Sequence, residues 1–181
     1  MTPDSTLAYA LLGLLHGAPQ AGYDLRKTFA STPLAHFSDS PGAIYPALRR
    51  LARRRWVAAV AAPRSGRRRK VFAPTDLGRR AFAQWLGQAP TRDDVVRAWD
   101  VLMLRLAFLG AVGGPRLTVF LRGVESELRA YLGELEAYRA GHAAKMPLGA
   151  RLAFDSGVEG YRAQARWVAR ALDRTRRERR K

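Results

Sequence analysis

The chain has 181 residues, 48% of them hydrophobic, which is enough for one large or two small globular domains with buried cores. Its 32 Lys and Arg residues outnumber 15 Asp and Glu, and the net charge of +17 favours a polyanionic partner such as nucleic acid or an anionic membrane surface. Only four of the 32 cations are lysines, however, and an excess of arginine can also reflect a GC-rich genome. The position of the charge is therefore more informative than its total.

Several classes of protein are excluded or disfavoured by what the chain lacks. It has no cysteine, which excludes disulfides, thiolate zinc sites and cysteine catalysis. Its three histidines, at 16, 36 and 142, are too scattered for a metal site or a catalytic triad. No run of 18 apolar residues occurs, and Asp4 stands where a signal peptide would carry cations. We expect a cytoplasmic protein without cofactor or metal.

Two short helices are predicted first. The apolar run from Leu7 to His16 ends at Gly17 and Pro19 and is too short to span a bilayer, so it should be a core helix. A second helix is predicted from Gly22 to Phe29, with Leu25 and Phe29 facing inward.

A third helix is predicted to begin after Ser40, which can cap it, with Pro41 in its first turn. Pro46 removes a backbone hydrogen bond, so regular helix is expected only from about Ala43, with an irregular entrance. Its apolar stripe contains Ile44, Leu48 and Leu51, whereas Tyr45, Arg49 and Arg53 share another face. One face is thus free to touch a partner.

A hairpin is predicted after Trp56. Two short runs, 57–62 and 68–73, flank a Pro-Arg-Ser-Gly turn, and five cations lie at or beside its tip: Arg64, Arg67, Arg68, Arg69 and Lys70. Residues 41–80 carry 12 cations and one acid, Asp76. A solvated hairpin whose charge serves solubility is the alternative. Two short helices that present a third to a groove, with a wing beside it, are the arrangement of winged helix-turn-helix DNA readers.

A helix capped by Thr75 follows the hairpin, and residues 87–90 end it at the best candidate domain boundary. We therefore divide the chain into a DNA-binding domain, 1–88, and a helical dimerisation and possible effector-sensing domain, 89–181. The predicted fold class is mainly α, a winged helix-turn-helix domain with a two-stranded wing followed by a C-terminal α-helical domain.

The second half is helical by period. Thr91 to Asp94 resembles a capping box, and one continuous helix is predicted through Leu109. A second helix starts at Pro115, a third covers 153–173, and residues 173–181 should fray. The apolar seam can bury itself within the chain or across a dimer, and we expect both. The predicted dimerisation residues are Leu117, Leu121, Leu128, Phe154, Val158, Tyr161, Val168 and Leu172.

With these blocks in place, the first 85 residues resemble the PadR family of bacterial transcriptional regulators. The resemblance rests on Leu11–Leu15, Gly22–Leu25, Ser40–Leu51 and Val71–Gly78, in that order. Two positions depart from the family pattern, because Arg55-Trp56 replaces its usual glycine after the recognition helix and Phe72 replaces its usual tyrosine. The C-terminal helices look like those of the longer PadR subfamily, which form an intertwined dimer.

This resemblance implies a regulator of neighbouring genes, more often a repressor, that is released from DNA by a small hydrophobic effector. A homodimer would place two copies of the third helix in successive major grooves of a pseudo-palindromic operator. Tyr45 and Arg49 are the best candidates to read bases, since arginine can bind guanine bidentately. The predicted DNA-binding residues are Ser38, Ser40, Gly42, Tyr45, Arg49, Arg64, Arg67, Arg68 and Lys70.

Other roles remain open. Tyr45 can be a half-buried core ring, and Trp99, Trp167 and Tyr161 can line an effector cavity or belong to the core. No motif identifies the residues that bind an effector. The rival functions are a sequence-indifferent DNA-organising protein and, less favoured, a metal-dependent nucleic-acid enzyme, for which Asp93, Asp94 and Asp100 are the nearest carboxylate cluster. We expect no enzymatic activity.

Overall fold

The computed structural model describes residues 5–38, 41–60, 70–112 and 115–178, and within them the chain forms two compact units, Met1–Gln88 and Ala89–Lys181. The first unit contains four helices and three strands: α1 (Thr6–Gly17), β1 (Gln20–Ala21), α2 (Gly22–Ser31), α3 (Ile44–Arg53), β2 (Val57–Val60), β3 (Val71–Pro74) and α4 (Asp76–Gly87). The second contains α5 (Arg92–Arg97), α6 (Trp99–Val112), α7 (Pro115–His142) and α8 (Leu148–Glu178).

The fold class predicted from the sequence is confirmed, with one addition to the wing. β2 and β3 pair antiparallel as expected, with Ala58 opposite Ala73. β1 adds a third antiparallel strand on the other side of β3, where Gln20 lies opposite Phe72, and the strand order is β1-β3-β2. A strand of two residues leaves no periodic signal, so the sequence did not reveal β1.

The core of the first unit forms around α1, which packs against α3, α4 and β3. Its fully buried side chains include Leu11, Leu12, Leu15, Leu25, Ile44 and Leu51. An aromatic group closes one side: the rings of Tyr9 and Trp85 stack with centroids 4.6 Å apart, and Phe82 lies 5.8 Å from Trp85. Burial raises the pKa of the Tyr9 hydroxyl.

Two hydroxyl caps begin helices where the sequence predicts them. The Oγ1 of Thr75 accepts a hydrogen bond from the N–H of Gly78 at 3.1 Å, which starts α4. Thr91 and Asp94 form a reciprocal capping box at the start of α5, in which the Thr91 N–H donates to Asp94 Oδ2 at 2.9 Å. Both predictions are confirmed.

Two predictions about the helices of the second unit are wrong. The helix expected through Leu109 is divided into α5 and α6, because Ala98 leaves the helical conformation with φ −137° and ψ 39°. The frayed tail expected from residue 173 is helical as far as Glu178. Ion pairs one turn apart, Asp173 with Arg176 and Arg174 with Glu178, support this last part of α8.

α7 and α8 are the main helix pair of the second unit and run antiparallel, with Tyr131 against Tyr161 and Tyr138 against Phe154. The rings of Tyr131 and Tyr161 meet edge to face at 4.9 Å, and burial, with Tyr131 beside it, raises the pKa of Tyr161. Val124, Leu128 and Val168 are among the side chains fully buried in this unit.

Two arginines hold α5, α6 and α7 together. The Nη1 of Arg92 donates to Glu134 Oε2 at 2.6 Å, and its guanidinium lies 5.2 Å from the ring centroid of Tyr131. The hydrogen bond with Glu134 raises the pKa of Arg92. Arg105 is buried over Phe120, 4.8 Å from its ring centroid, and this burial lowers the pKa of Arg105.

Candidate nucleic-acid interface

The candidate interface is built on α3. Ile44, Ala47, Leu48 and Leu51 bury one side of this helix in the core of the first unit. The other side exposes Arg49, Arg50 and Arg53, and none of the three forms a hydrogen bond or ion pair with a described residue. A helix fixed by its apolar side thus presents free cations on the other side, which can bind phosphates or the edges of bases.

The entrance of α3 is irregular, as predicted. Residues Pro41–Ala43 form a 3-10 turn, and regular α-helix begins at Ile44. Pro46 is the third residue of α3, a position where the backbone N–H would have no partner inside the helix, so its missing donor costs little. Ala43 makes no side-chain cap, and the cap predicted at Ser40 lies outside the described residues.

α2 packs against α3 through a close approach of Gly22 to Tyr45. A Cβ added at Gly22 would lie 2.8 Å from Cε1 of Tyr45, closer than van der Waals contact allows. The ring of Tyr45 therefore rests on the first residue of α2 while 43% of the residue remains exposed. Tyr45 is neither a core ring nor a free surface side chain, and Gly22 determines where it lies.

The turn after α3 is held by the start of α4. Arg55 has φ 58°, in the left-handed region that favours glycine, and its carbonyl accepts a hydrogen bond from Thr75 Oγ1 at 2.5 Å. The carbonyl of Trp56 accepts from the N–H of Thr75 at 3.0 Å. A Cβ at Gly78 would overlap that carbonyl oxygen, so only glycine fits there. These interactions fix where β2 leaves the end of α3.

The predicted DNA-binding residues fall into three groups. Tyr45, Arg49 and Lys70 are exposed, and so is Gly42 in the 3-10 turn. Ser38 is partly buried, and its backbone N–H donates to the carbonyl of Ala35 at 3.1 Å. Ser40, Arg64, Arg67 and Arg68 lie outside the described residues, as does the predicted tip of the wing, 61–69. Their roles stay predictions.

Sequence reasoning missed a cationic surface on α2. Tyr23 is exposed, and the guanidinium of Arg26 lies 5.4 Å from the centroid of its ring. Lys27 is exposed beside them. The signal was present in the outward placement of Arg26 and Lys27, but only the packing of α2 against α3 puts both helices on one unit with their cations exposed.

The predicted dimerisation residues lie mostly inside a single chain. Leu121, Leu128, Val158, Val168 and Leu172 are buried in the second unit, and Leu117, Phe154 and Tyr161 are partly buried. No residue between 129 and 157, the end of the α7–α8 hairpin, is fully buried. Leu148 and Leu152, one turn apart in α8, remain 62% and 59% exposed, and the sequence analysis did not select them.

The acidic residues considered for catalysis have structural partners. Asp94 caps α5, and Asp93 forms an ion pair with Arg97 at 3.0 Å. Within residues 5–38, 41–60, 70–112 and 115–178, no group of three His, Cys, Asp or Glu side chains is placed to hold a metal ion. Over the same ranges, no helix combines the length and the apolar character that a membrane span requires.

The candidate effector aromatics divide between two places. Trp99 and Trp167 meet edge to face, with ring centroids 6.2 Å apart. Tyr161 instead contacts Tyr131. The three rings therefore do not line one cavity.

The helix-turn-helix formed by α2 and α3, with the three-stranded sheet beside it, defines a winged helix-turn-helix DNA-binding protein. Residues 11–84 match the transcriptional regulator PadR-like family, and through this segment the protein belongs to that family as a DNA-binding transcriptional regulator. No curated protein sequence matches the chain significantly.

Several solved structures are similar over most of the chain. Bacillus subtilis PadR in complex with operator DNA has 22% identity and a TM-score of 0.45, covering 94% of this chain and 98% of that one. The PadR-like transcriptional regulator BC1756 from Bacillus cereus has 24% identity and a TM-score of 0.42, covering 93% and 94%. The Vibrio cholerae virulence activator AphA has 22% identity and a TM-score of 0.39, covering 95% and 99%. Similarity at this level does not by itself define a ligand or a partner.

Proposed function

We propose that the protein is a homodimeric, sequence-specific repressor that binds a pseudo-palindromic operator and releases it when a small hydrophobic or aromatic effector binds. The observation that carries the proposal is the free cationic side of α3. It is supported by the membership of residues 11–84 in a family of transcriptional regulators.

α3 has the size of a recognition helix. Its ten residues span about 15 Å, and the major groove of B-DNA is about 12 Å wide. Arg49 would read guanine through two hydrogen bonds, for about 1–3 kcal/mol of discrimination against other bases. Tyr45 would contact a neighbouring base or phosphate. Gly42 and Ser38, before the helix, would contact the backbone.

The wing would supply interactions that do not depend on sequence. Lys70 is exposed at the start of β3, and Arg64, Arg67 and Arg68 precede it in the chain. Cations at this place would bind phosphates or enter the minor groove. Their contribution would weaken as salt rises, because each phosphate that is bound releases condensed counterions.

The dimer would use the end of the α7–α8 hairpin. Ion pairs between Arg139 and Asp155 and between Arg162 and Glu136 join the two helices there, but no third layer covers their apolar side chains. A second copy would bury Leu148 and Leu152, which a single chain leaves in water. Two copies of α3 would then meet half-sites about 34–36 Å apart.

The test of DNA recognition compares the region upstream of the protein's own gene with random duplex at one stated salt concentration. We expect a footprint with two-fold symmetry and an affinity at least 10³-fold above that for random DNA. Replacing Tyr45 and Arg49 by alanine should remove most of this preference. Arg80→Ala, which removes an exposed cation from α4, is the matched control and should preserve it.

Equal affinity for both DNAs would contradict the proposal and identify a sequence-indifferent DNA organiser. Cleavage of plasmid DNA that requires a divalent metal would instead identify an enzyme. Neutralising Arg64, Arg67, Arg68 and Lys70 with glutamine should lower affinity for all sequences. It should also reduce the slope of log K against log salt by about 0.9 for each phosphate that the variant no longer binds.

A further inference from the structure

A groove of about 590 Å³ lies between α6, α7 and α8 of the second unit. Its floor is apolar, and the side chains used below are Leu106, Leu117, Leu121, Trp167, Arg170 and Arg174. Sites for small molecules are commonly 300–1,000 Å³ in volume, mostly apolar, with a few polar groups that orient the ligand. The groove has the size and the lining of such a site.

The polar groups of the groove are cationic on one side. Arg170 and Arg174 lie one turn apart on α8 and both line it. Arg174 forms an ion pair with Glu178 at 3.4 Å, whereas Arg170 forms no hydrogen bond or ion pair with any described residue. A free guanidinium beside an apolar floor is placed to bind an anion whose other end is apolar.

Trp167 adds a flat apolar wall to the same groove. It is partly buried, and its ring rests edge to face on Trp99, which limits its movement. Arg170 follows Trp167 by three residues, so both side chains lie on the same side of α8. The apolar wall and the free cation therefore act on one ligand.

We infer that this groove binds an amphipathic carboxylate, with the carboxylate on Arg170 and the apolar body between Trp167 and the leucines. The inference rests on the proposed function in that it assigns the effector of the regulator to this site. A second copy of the chain is the other possible occupant. The free cation favours the anion, since an apolar interface between copies would have to leave Arg170 in water or bury it unpaired.

The test measures binding of 1-naphthaleneacetate and of its neutral isostere 1-naphthaleneacetamide to the full chain by calorimetry, without DNA. The acid should bind about tenfold more tightly than the amide, which corresponds to one charge-assisted hydrogen bond. Arg170→Gln should remove this difference and leave the amide affinity within about twofold. Arg166→Gln, one turn earlier on α8 and outside the groove, is the matched control and should preserve it.

A second variant tests the position of the site. Ala107 is exposed and lines the groove from α6, so Ala107→Trp should fill it and abolish binding of both compounds without disturbing the core. Equal affinity for acid and amide, absence of binding, or an equal effect of Arg166→Gln and Arg170→Gln would overturn the inference. So would an Ala107→Trp protein that turns monomeric, because the groove would then be an interface between copies.

The failure of this inference and that of the proposed function can be distinguished. Operator affinity is measured without ligand and ligand affinity without DNA. A protein that binds its operator but neither compound would contradict the groove alone. A protein that binds the acid through Arg170 but shows no operator preference would contradict the proposed function and leave the site intact.

Discussion

Arg55 occupies a backbone position that glycine would suit better. It is the only described non-glycine residue with positive φ, and left-handed backbone costs an ordinary residue roughly 1–2 kcal/mol. The conformation is maintained because Thr75 and Gly78 hold the carbonyls of Arg55 and Trp56. The usual glycine of the PadR pattern is thus replaced here without loss of the turn, since its neighbours impose it.

Arg55→Gly should therefore stabilise the first unit by about 1 kcal/mol, since relief of the strained backbone exceeds the entropic cost of glycine. The midpoint of urea unfolding, followed by tryptophan fluorescence, measures the change. Arg53→Gly is the control at the last residue of α3, where backbone is helical, and should destabilise by about 1 kcal/mol. If both variants lose stability alike, Arg55 is not strained.

α2 and α3 form one reading element, and the packing between them decides where the exposed side of α3 points. Gly22 is buried at the start of α2, and its missing side chain admits the ring of Tyr45. Leu48 Cδ1 would lie 3.4 Å from a Cβ added there, which is an ordinary van der Waals distance. A side chain at Gly22 would accordingly displace Tyr45 before it disturbed the core.

Gly22→Ala should weaken operator binding by about tenfold or less, because the ring of Tyr45 must move, while the free energy of unfolding changes by less than about 1 kcal/mol. Gly17→Ala at the end of α1, where nothing lies within 4 Å, should change neither. If Gly22 acts through Tyr45, its substitution should have no further effect once Tyr45 is alanine. Additive losses would show that it acts in another way.

At the scale of the whole molecule, the heptad-like seam of α7 and α8 serves the single chain first. Leu128 and Val168 are buried without a partner copy. The apolar residues that a dimer can still cover lie at the hairpin end, where Leu148 and Leu152 are exposed on one turn of α8. The surface for self-association is therefore separate from the core of the unit.

Leu148→Glu combined with Leu152→Glu should convert the dimer to a monomer, because two charges would have to be buried in the interface. Sedimentation equilibrium measures the mass, and circular dichroism should show unchanged helix content. Ala169→Glu, at another exposed position of α8, is the control and should remain dimeric. A wild-type protein that is monomeric at micromolar concentration would contradict the proposed dimer.

The sequence by itself determined the helices and their caps, because their hydrogen bonds and apolar periods are complete within a few residues. Thr75, Thr91 and the stripe of Ile44, Leu48 and Leu51 are examples. Only the tertiary structure decided the pairing of β1 with β3, the left-handed turn at Arg55 and the break at Ala98. Strand pairing and the held turn depend on partners about 20 to 50 residues away, and the break carries no glycine or proline to signal it.

The same distinction applies to the candidate sites. Free cations on α3 could be predicted, since a period of 3.6 residues separates them from the buried stripe. The close approach of Gly22 to Tyr45, the exposure of Leu148 and Leu152 and the groove beside Arg170 could not. Exposure and cavity shape depend on which helices pack together, and a one-dimensional pattern contains only the face of each helix, not its neighbour.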